Sequence, residues 1–452
     1  MLYRTHNLVR TPNIRSILSR QTHRVLLRTM CAAREASTAP NYDAFFNRRS
    51  LARQPSAIRE LQPFLSIPGM ISLGGGMPNP TSFPFTSLEA ELVDGTKITL
   101  KGSDLSETLQ YSATPGLPRL VDLWTNIIEK EHTPSTAHAW GVGVTTGSQD
   151  GLAKIFDMFL DENTSLLVEA PTYSGALASL VPLGCNLVKI PTDSDGLIPE
   201  ELDATLSNWD CSVDGVKPKV LYTIPTGSNP TGATLSLERR NTLLKLATKH
   251  DLLIIEDDPY YYLQFSEKRI SSMFSMCSDG RVLRCDSISK LISSGLRIGF
   301  VSAPTPILHR IMLHQQSSTL HTCGVSQGLV YALLNKWGPD GFEEHVQKVT
   351  AMYAKRRDDF MASAKKHITG KAEFHAPAAG MFVWFKLLGV EDSTDIIKEK
   401  AVEKLVLMVP GKAFTPGGGP SPYVRATFST ASKEDMEEAM RRFGELLDEI
   451  KP

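Results

Sequence analysis

No apolar run in this 452-residue chain approaches the roughly eighteen residues that a membrane-spanning helix needs, so nothing in it asks for a lipid partner. Cysteine is scarce as well. The six, at positions 31, 185, 211, 277, 285 and 323, form no CxxC pair and no Cys/His cluster with metal-ligand spacing. They imply neither a disulfide framework nor a zinc site, and read as scattered buried thiols of a reducing compartment. No candidate strand is followed by G-x-G-x-x-G, which removes a nicotinamide-dinucleotide enzyme of the Rossmann type. Internal repeats and low-complexity segments are also missing.

Acidic residues are missing from the first 34 positions. That stretch holds seven arginines and no lysine, and the first acid is Glu35. With those seven set aside, 41 basic side chains face 49 acidic ones, so the near-neutral formal charge of −1 hides an acidic body. Arginine-rich and interspersed with Leu, Ile, Val, Ser and Thr, residues 1–40 read as a mitochondrial transit peptide. A nucleic-acid-binding arm is the other use of such a tail, but the acidic body offers no basic face to extend it. Met30 can also start translation beyond most of the signal, giving a cytosolic form beside the matrix one.

What is present is the composition of a globular protein, 41% hydrophobic and 21% charged, on a chain long enough for two domains. Residues 41–68 read as partly helical, broken by Pro55, Pro63 and Pro68, and 71–80 as a strand end entering a turn-dense loop. Strand candidates follow at 142–146, 165–168, 186–190, 220–224, 252–256, 282–285 and 298–302. Helical stretches lie between several of them, at 151–160, 173–183, 200–209 and 237–250. Near-continuous apolar strands alternating with helices argue for a mostly parallel sheet covered on both faces, with ligands at the carboxyl ends of its strands.

Beyond Pro306 the pattern is chiefly helical, with amphipathic runs at 307–318 and 341–366. From Ala372 it shortens to strands at 381–385, 406–409 and 423–427 and helices at 394–404 and 434–450, the last with Ser432 as N-cap. This gives an N-terminal segment over 41–75, a large domain over 76–371 and a small domain over 372–452.

The stretch 281–301, RVLRCDSISKLISSGLRIGFV, is where the chemistry concentrates. An apolar strand leads to Ser287, Ser289 and Lys290, and after a Ser-Ser-Gly break comes Arg297. Two hydroxyls and a guanidinium suit a phosphate monoester. A lysine amine among them can condense with an aldehyde on the same ligand, and pyridoxal 5'-phosphate has both groups. Taken alone, Lys290 also reads as an ordinary surface lysine.

Three further motifs bear on that choice. IIEDDPYYY (254–262) puts Glu256, Asp257 and Asp258 at the end of an apolar strand. A carboxylate buried there needs a mate, and a pyridinium nitrogen is one; a helix N-cap cluster is the plain alternative, and spacing does not choose among the three acids. PTGSNPTG (225–232) holds Asn229 extended before Pro230, either as a plain turn or to aim one amide at a ring oxygen. TGSQDG (146–151) joins a strand to a helix whose free N–H groups can take a phosphate.

In this order the motifs resemble the class I and II pyridoxal-phosphate aminotransferases, over about residues 41–450. SLGGGMPNP (72–80), LQYSATPG (109–116), EAPTYSG (169–175), IIEDDPYYYLQF (254–265), SISKLISSGLRIGF (287–300) and SPYVRATFS (421–429) are similar to the kynurenine/α-aminoadipate and fungal-type aromatic aminotransferases. The resemblance implies an α/β fold of the PLP-dependent transferase fold type I. A large domain would hold a mostly parallel sheet between helices, with a smaller α+β domain beside it.

It also implies roles, position by position. Lys290 matches the Schiff-base lysine that moves the proton, and Asp257, three before Tyr260, the pyridinium partner, which chooses among the three acids. Asn229 and Tyr260 match the groups bonded to the ring hydroxyl, and Tyr173 the aromatic stacked on the ring. Ser148, Gln149, Ser287, Ser289 and Arg297 fall where the family binds phosphate. Tyr111 is similar to a tyrosine lent by the neighbouring subunit, which implies a homodimer with shared sites. Arg425 matches the arginine that takes the substrate carboxylate, while Arg59 and Gly76 belong to the substrate-binding N-terminal region.

The implied reaction moves the amino group of aromatic amino acids, kynurenine or 2-aminoadipate to 2-oxoglutarate. A lyase of the aminocyclopropane-carboxylate synthase type shares much of the site. A PLP-sensing regulator needs a DNA-binding domain, for which forty arginine-rich residues are too few. The PTGSNPTG loop and TLHTCGV (319–325) depart from the animal kynurenine form and leave the preferred amino donor open.

Overall fold

Runs such as Val220–Thr223 and Leu253–Asp257, rich in Leu, Ile, Val and Tyr, are buried at every position. They form central strands because β-branched and large apolar side chains fit a pleated surface that is covered on both sides. The computed structural model describes residues 39–450; the arginine-rich segment read as a transit peptide lies outside the described residues, apart from its last two positions. No helix among the described residues is long and apolar enough to cross a membrane.

In chain order the strands are β1 (Ser87–Glu91), β2 (Lys97–Lys101), β3 (Trp140–Thr145), β4 (Ser165–Ala170), β5 (Asn186–Asp193), β6 (Gly196–Leu197) and β7 (Val220–Thr223). They continue as β8 (Leu253–Asp257), β9 (Val282–Ser287), β10 (Gly299–Pro304), β11 (Ala372–Glu373), β12 (Phe382–Leu387), β13 (Val409–Pro410) and β14 (Tyr423–Thr427). The large sheet has the order β3-β10-β9-β8-β7-β4-β5-β6. Strands β5, β4, β7, β8 and β9 pair in parallel, whereas β10 is antiparallel to both β9 and β3, and β6 turns back on β5. The sheet is therefore mixed.

The reversal of β10 matters for position. Its first residue, Gly299, lies opposite both Thr145 and Ser287, at the carboxyl ends of β3 and β9. The loops after β3, β4, β7, β8 and β9 and the loop before β10 thus meet at one edge of the sheet, where open α/β sheets bind ligands. Beneath that edge Trp124, from the helix Pro118–His132, stacks on Phe300 of β10 with centroids 3.9 Å apart. Truncating a buried indole of this kind costs about 3–5 kcal/mol.

The smaller sheet, β11-β12-β14-β13, is antiparallel throughout. The last helix, Lys433–Glu449, buries Met436, Met440, Phe443 and Leu447, and Ser432 Oγ accepts the N–H of Asp435 as its N-cap.

Several sequence expectations need correction. No strand forms at 71–80, because that glycine- and proline-rich segment has no ladder partner. The expected strand at 406–409 shrinks to Val409–Pro410, and Leu405 and Leu407 point to solvent. The helix expected at 394–404 is a π-turn, Ile396–Lys400, running into Ala401–Glu403. Cys211 and Cys323 are exposed, so the thiols are not uniformly buried. The hairpin of β1 and β2 and the helix Gly102–Leu109 had no expectation at all.

Candidate active site

The turn after β3 is built around a glycine. Gly147 has φ +77° and ψ 164°, a conformation open essentially to glycine alone, and a Cβ there would run into the Arg297 guanidinium. Across the turn, a Cβ on Gly299 would lie 2.5 Å from the backbone nitrogen of Ser148. Two positions without side chains therefore bring Arg297 and the start of the helix Ser148–Phe159 together. Ser287 Oγ accepts the N–H of Ser289 at 3.2 Å, and Arg297 Nη1 donates to the Ser294 carbonyl at 3.0 Å. Gln149 spends its amide N–H on the Gly175 carbonyl (2.8 Å) and Ser179 (3.2 Å), so it braces the neighbouring helix.

Asp257 closes β8. Its Oδ2 accepts from the Tyr222 hydroxyl at 2.9 Å, while Oδ1 is buried without a hydrogen-bond partner among the described residues. Burial, helped by the charges of Asp258 and Asp286, pushes its carboxyl up to about 7, against the pull of the Tyr222 bond and Arg284. The flanking acids are occupied elsewhere: Arg284 reaches Glu256 at 3.2 Å, Asp258 at 3.1 Å and Asp286 at 2.7 Å. Glu256 also accepts the N–H groups of Met273 and Phe274. Of the three consecutive acids, Asp257 alone lines the cavity.

That cavity, about 430 Å³, is lined by Ser148, Gln149, Tyr173, Asn229, Asp257, Tyr260, Ser287, Ser289, Lys290, Arg297 and Arg425. Ile224, Pro259, Ser294 and Phe382 are also in its wall. Burial and the nearby Arg297 charge lower the pKa of the Lys290 ammonium, whereas burial raises the phenols of Tyr173 and Tyr260. Arg425 Nη1 donates to Asn229 Oδ1 at 2.8 Å, and its guanidinium lies 4.5 Å from the Phe382 ring centroid and 4.9 Å from that of Phe414. With Oδ1 taken, the Asn229 amide has its N–H donors left for something else.

These groups fit pyridoxal 5'-phosphate. Hydroxyls, a guanidinium and a helix start suit its phosphate, and the orphaned Asp257 oxygen suits a protonated ring nitrogen.

Three expected residues do not line the cavity of a single chain. Arg59 donates to the Ser112 carbonyl at 2.7 Å, Tyr111 is 50% exposed with its ring edge-on to His321, and Gly76 is exposed. The sequence reading missed Tyr222, Phe382 and Phe414. A tyrosine inside a wholly apolar strand was the available signal for the first, since a buried phenol needs a partner.

The family model described as Aminotransferase class I and II matches residues 89–443. The mitochondrial kynurenine/alpha-aminoadipate aminotransferase of Bos taurus is 43% identical over 422 residues, which is 90% of this chain and 99% of that protein. The solved structure of the aromatic aminotransferase Aro9 of Candida albicans has a TM-score of 0.82 at 29% identity, covering 91% of this chain and 98% of that one. The kynurenine aminotransferase of Pyrococcus horikoshii, solved in complex with PMP, has a TM-score of 0.74 at 29% identity, covering 91% and 99%.

Proposed function

Since the chain belongs to the class I and II aminotransferases, we propose that it moves the α-amino group of aromatic amino acids, kynurenine or 2-aminoadipate to 2-oxoglutarate, with pyridoxal 5'-phosphate as cofactor. One atom carries the reading. Asp257 Oδ1 is buried and has no hydrogen-bond partner among the described residues, in the wall that also holds Lys290, Asn229 and Arg297, and a protonated ring nitrogen would supply what it lacks. When bound, the cofactor supplies an aldehyde carbon for the amino nitrogen and a ring that draws electrons from the substrate Cα–H bond.

The chain's own residues do the rest. Ser148, Ser287, Ser289, Arg297 and the N–H groups that open the helix Ser148–Phe159 would hold the phosphate, with Gln149 beside them tying that helix to the neighbouring one. Asn229 and Tyr260, in the cavity wall, would bond to the ring oxygen, and Tyr173 would cover the ring. Tyr222 fixes the Asp257 carboxylate. The lowered pKa of Lys290 leaves more of it as free amine, so its Nζ can take the proton from the substrate Cα. Arg425 orients the α-carboxylate.

Residues 76–371 and 372–452 act as the large and small domains, and 41–75 carries Arg59 over the substrate, with Gly76 at its edge. Tyr111, half-exposed in one chain, completes the site of a second subunit in a homodimer. The arginine-rich first forty residues direct the chain to the mitochondrial matrix, in keeping with the name of the Bos taurus relative, and Met30 starts a cytosolic form.

The test is glutamate formation from each amino donor plus 2-oxoglutarate, followed with the visible absorbance of the purified protein. Lys290→Ala is expected to lose both. Undiminished glutamate formation in that variant refutes the proposal, and product formation without 2-oxoglutarate reassigns the chain as a lyase.

A further inference from the structure

Glu169, at the carboxyl end of β4, is 4% exposed and does not line the cavity. Its Oε1 accepts from Thr223 Oγ1, its Oε2 accepts from Ser228 Oγ at 3.3 Å, and the Ile224 N–H also donates to it. All three donors belong to the end of β7 and the loop that follows it. Ser228 immediately precedes Asn229, whose Oδ1 takes Arg425 Nη1. A chain of contacts therefore runs from Glu169 through Ser228 to the two residues assigned to the ring oxygen and the substrate carboxylate.

Strand β7 lies between β4 and β8, so Glu169 and Asp257 flank it, the Tyr222 phenol of β7 bonds to Asp257, and the Asp257 charge reaches Glu169 across that strand; no ion pair joins Glu169 to a cation among the described residues. Three donors suit an ionised carboxylate. Burial opposes ionisation and pushes the group up to about 7, so a cation brought to Asp257 can hold both acids in their charged forms.

We propose that Glu169 is a positioning residue: it anchors the Asn229 loop through Ser228 and supplies, beside Asp257, a second buried negative charge that favours cationic forms of the bound cofactor. The inference rests on the cofactor reading above.

Its two halves are separable in the cofactor-loaded protein. Glu169→Gln keeps an acceptor for the loop but removes the charge. The pH midpoint of the cofactor's visible band, read without substrate, is expected to fall by roughly one unit. Ser228→Ala keeps the charge but removes the anchor. The donor KM is expected to rise about three- to tenfold with the spectral midpoint unmoved.

A folded, loaded E169Q with the wild-type midpoint overturns the electrostatic half, and S228A with the wild-type KM overturns the anchoring half. Should E169Q not fold, Glu169→Asp takes its place. Shortened but still charged, it is expected to raise KM at constant midpoint, and wild-type values of both overturn the proposal. A wild-type protein that shows no visible band with pyridoxal phosphate instead sinks the cofactor reading itself.

Discussion

A carboxylate kept dry for a ligand is a burden when the ligand is away, and Asp257 allows the size of that burden to be worked out. Its carboxyl is raised from the usual 3.8 to about 7, chiefly by burial. A folded-state pKa above the unfolded value means that the stabilising protonated form is complete below about pH 4 and is lost as the pH rises through 7. About three pH units at roughly 1.4 kcal/mol each set a ceiling near 4 kcal/mol. Glu169, raised to about 7, and Asp286, raised to about 6, titrate in the same window, so the wild-type slope contains all three.

Asp257→Asn isolates the first. The amide keeps an oxygen for the Tyr222 hydroxyl and cannot ionise. In urea unfolding of the cofactor-free protein, wild type and D257N should be of similar stability at about pH 3.5, below the unfolded value of the carboxyl, and should part steadily as the pH rises from there. By pH 8 the variant should be more stable by about 2–4 kcal/mol. Saturating pyridoxal phosphate should reverse the order, because only wild type offers the anion for the ring nitrogen. Parallel pH profiles, or a D257N protein less stable than wild type at pH 8, would refute the reasoning.

Other substitutions probe separate parts of the site and fold. Gly147→Ala forces an alanine into a glycine-only conformation, at a cost of about 1–3 kcal/mol, and displaces Arg297; fluorescence titration should show pyridoxal phosphate bound at least about tenfold more weakly. Arg425→Lys loses the planar fork, so the donor KM should rise about ten- to a hundredfold while the absorbance of the resting enzyme stays as it was. Ser432→Ala removes the N-cap of the last helix and should lower unfolding stability by about 1 kcal/mol with unchanged turnover, a split read by urea melts beside a rate assay.

How far the sequence carried this picture depended on where each signal lay. Strands such as Val220–Thr223 and Leu253–Asp257 were legible because burial on both faces leaves an uninterrupted apolar run. The direction of β10 was not, since an apolar run reads alike whichever way it points. The apolar residues at 406–409 passed for a strand, yet Leu407 is 88% exposed and only Val409 joins the ladder, and nothing local marks that. β1 was invisible because its apolar face is only Leu88 and Ala90, half-buried between exposed Ser87, Glu89 and Glu91, too short an alternation to mark a strand. The cavity residues were readable where they sit at strand ends or in the loops after them, within strict local patterns, as at Asp257, Asn229 and Lys290. Tyr222, Phe414 and Glu169 act through partners on other strands, which no short motif records.

The setting of Arg425 limits what can enter. The guanidinium is drawn away from water and laid against Phe382 and Phe414, leaving Asn229 as its hydrogen-bonded neighbour. On the proposed reading, a guest with an acid group would pair with the remaining N–H edge of the guanidinium. An amine stripped of that group, such as the decarboxylated counterpart of an amino acid, would leave that half-buried edge without its anionic partner. On that reading, discrimination against biogenic amines would rest on two aromatic rings rather than on any contact with the amine itself.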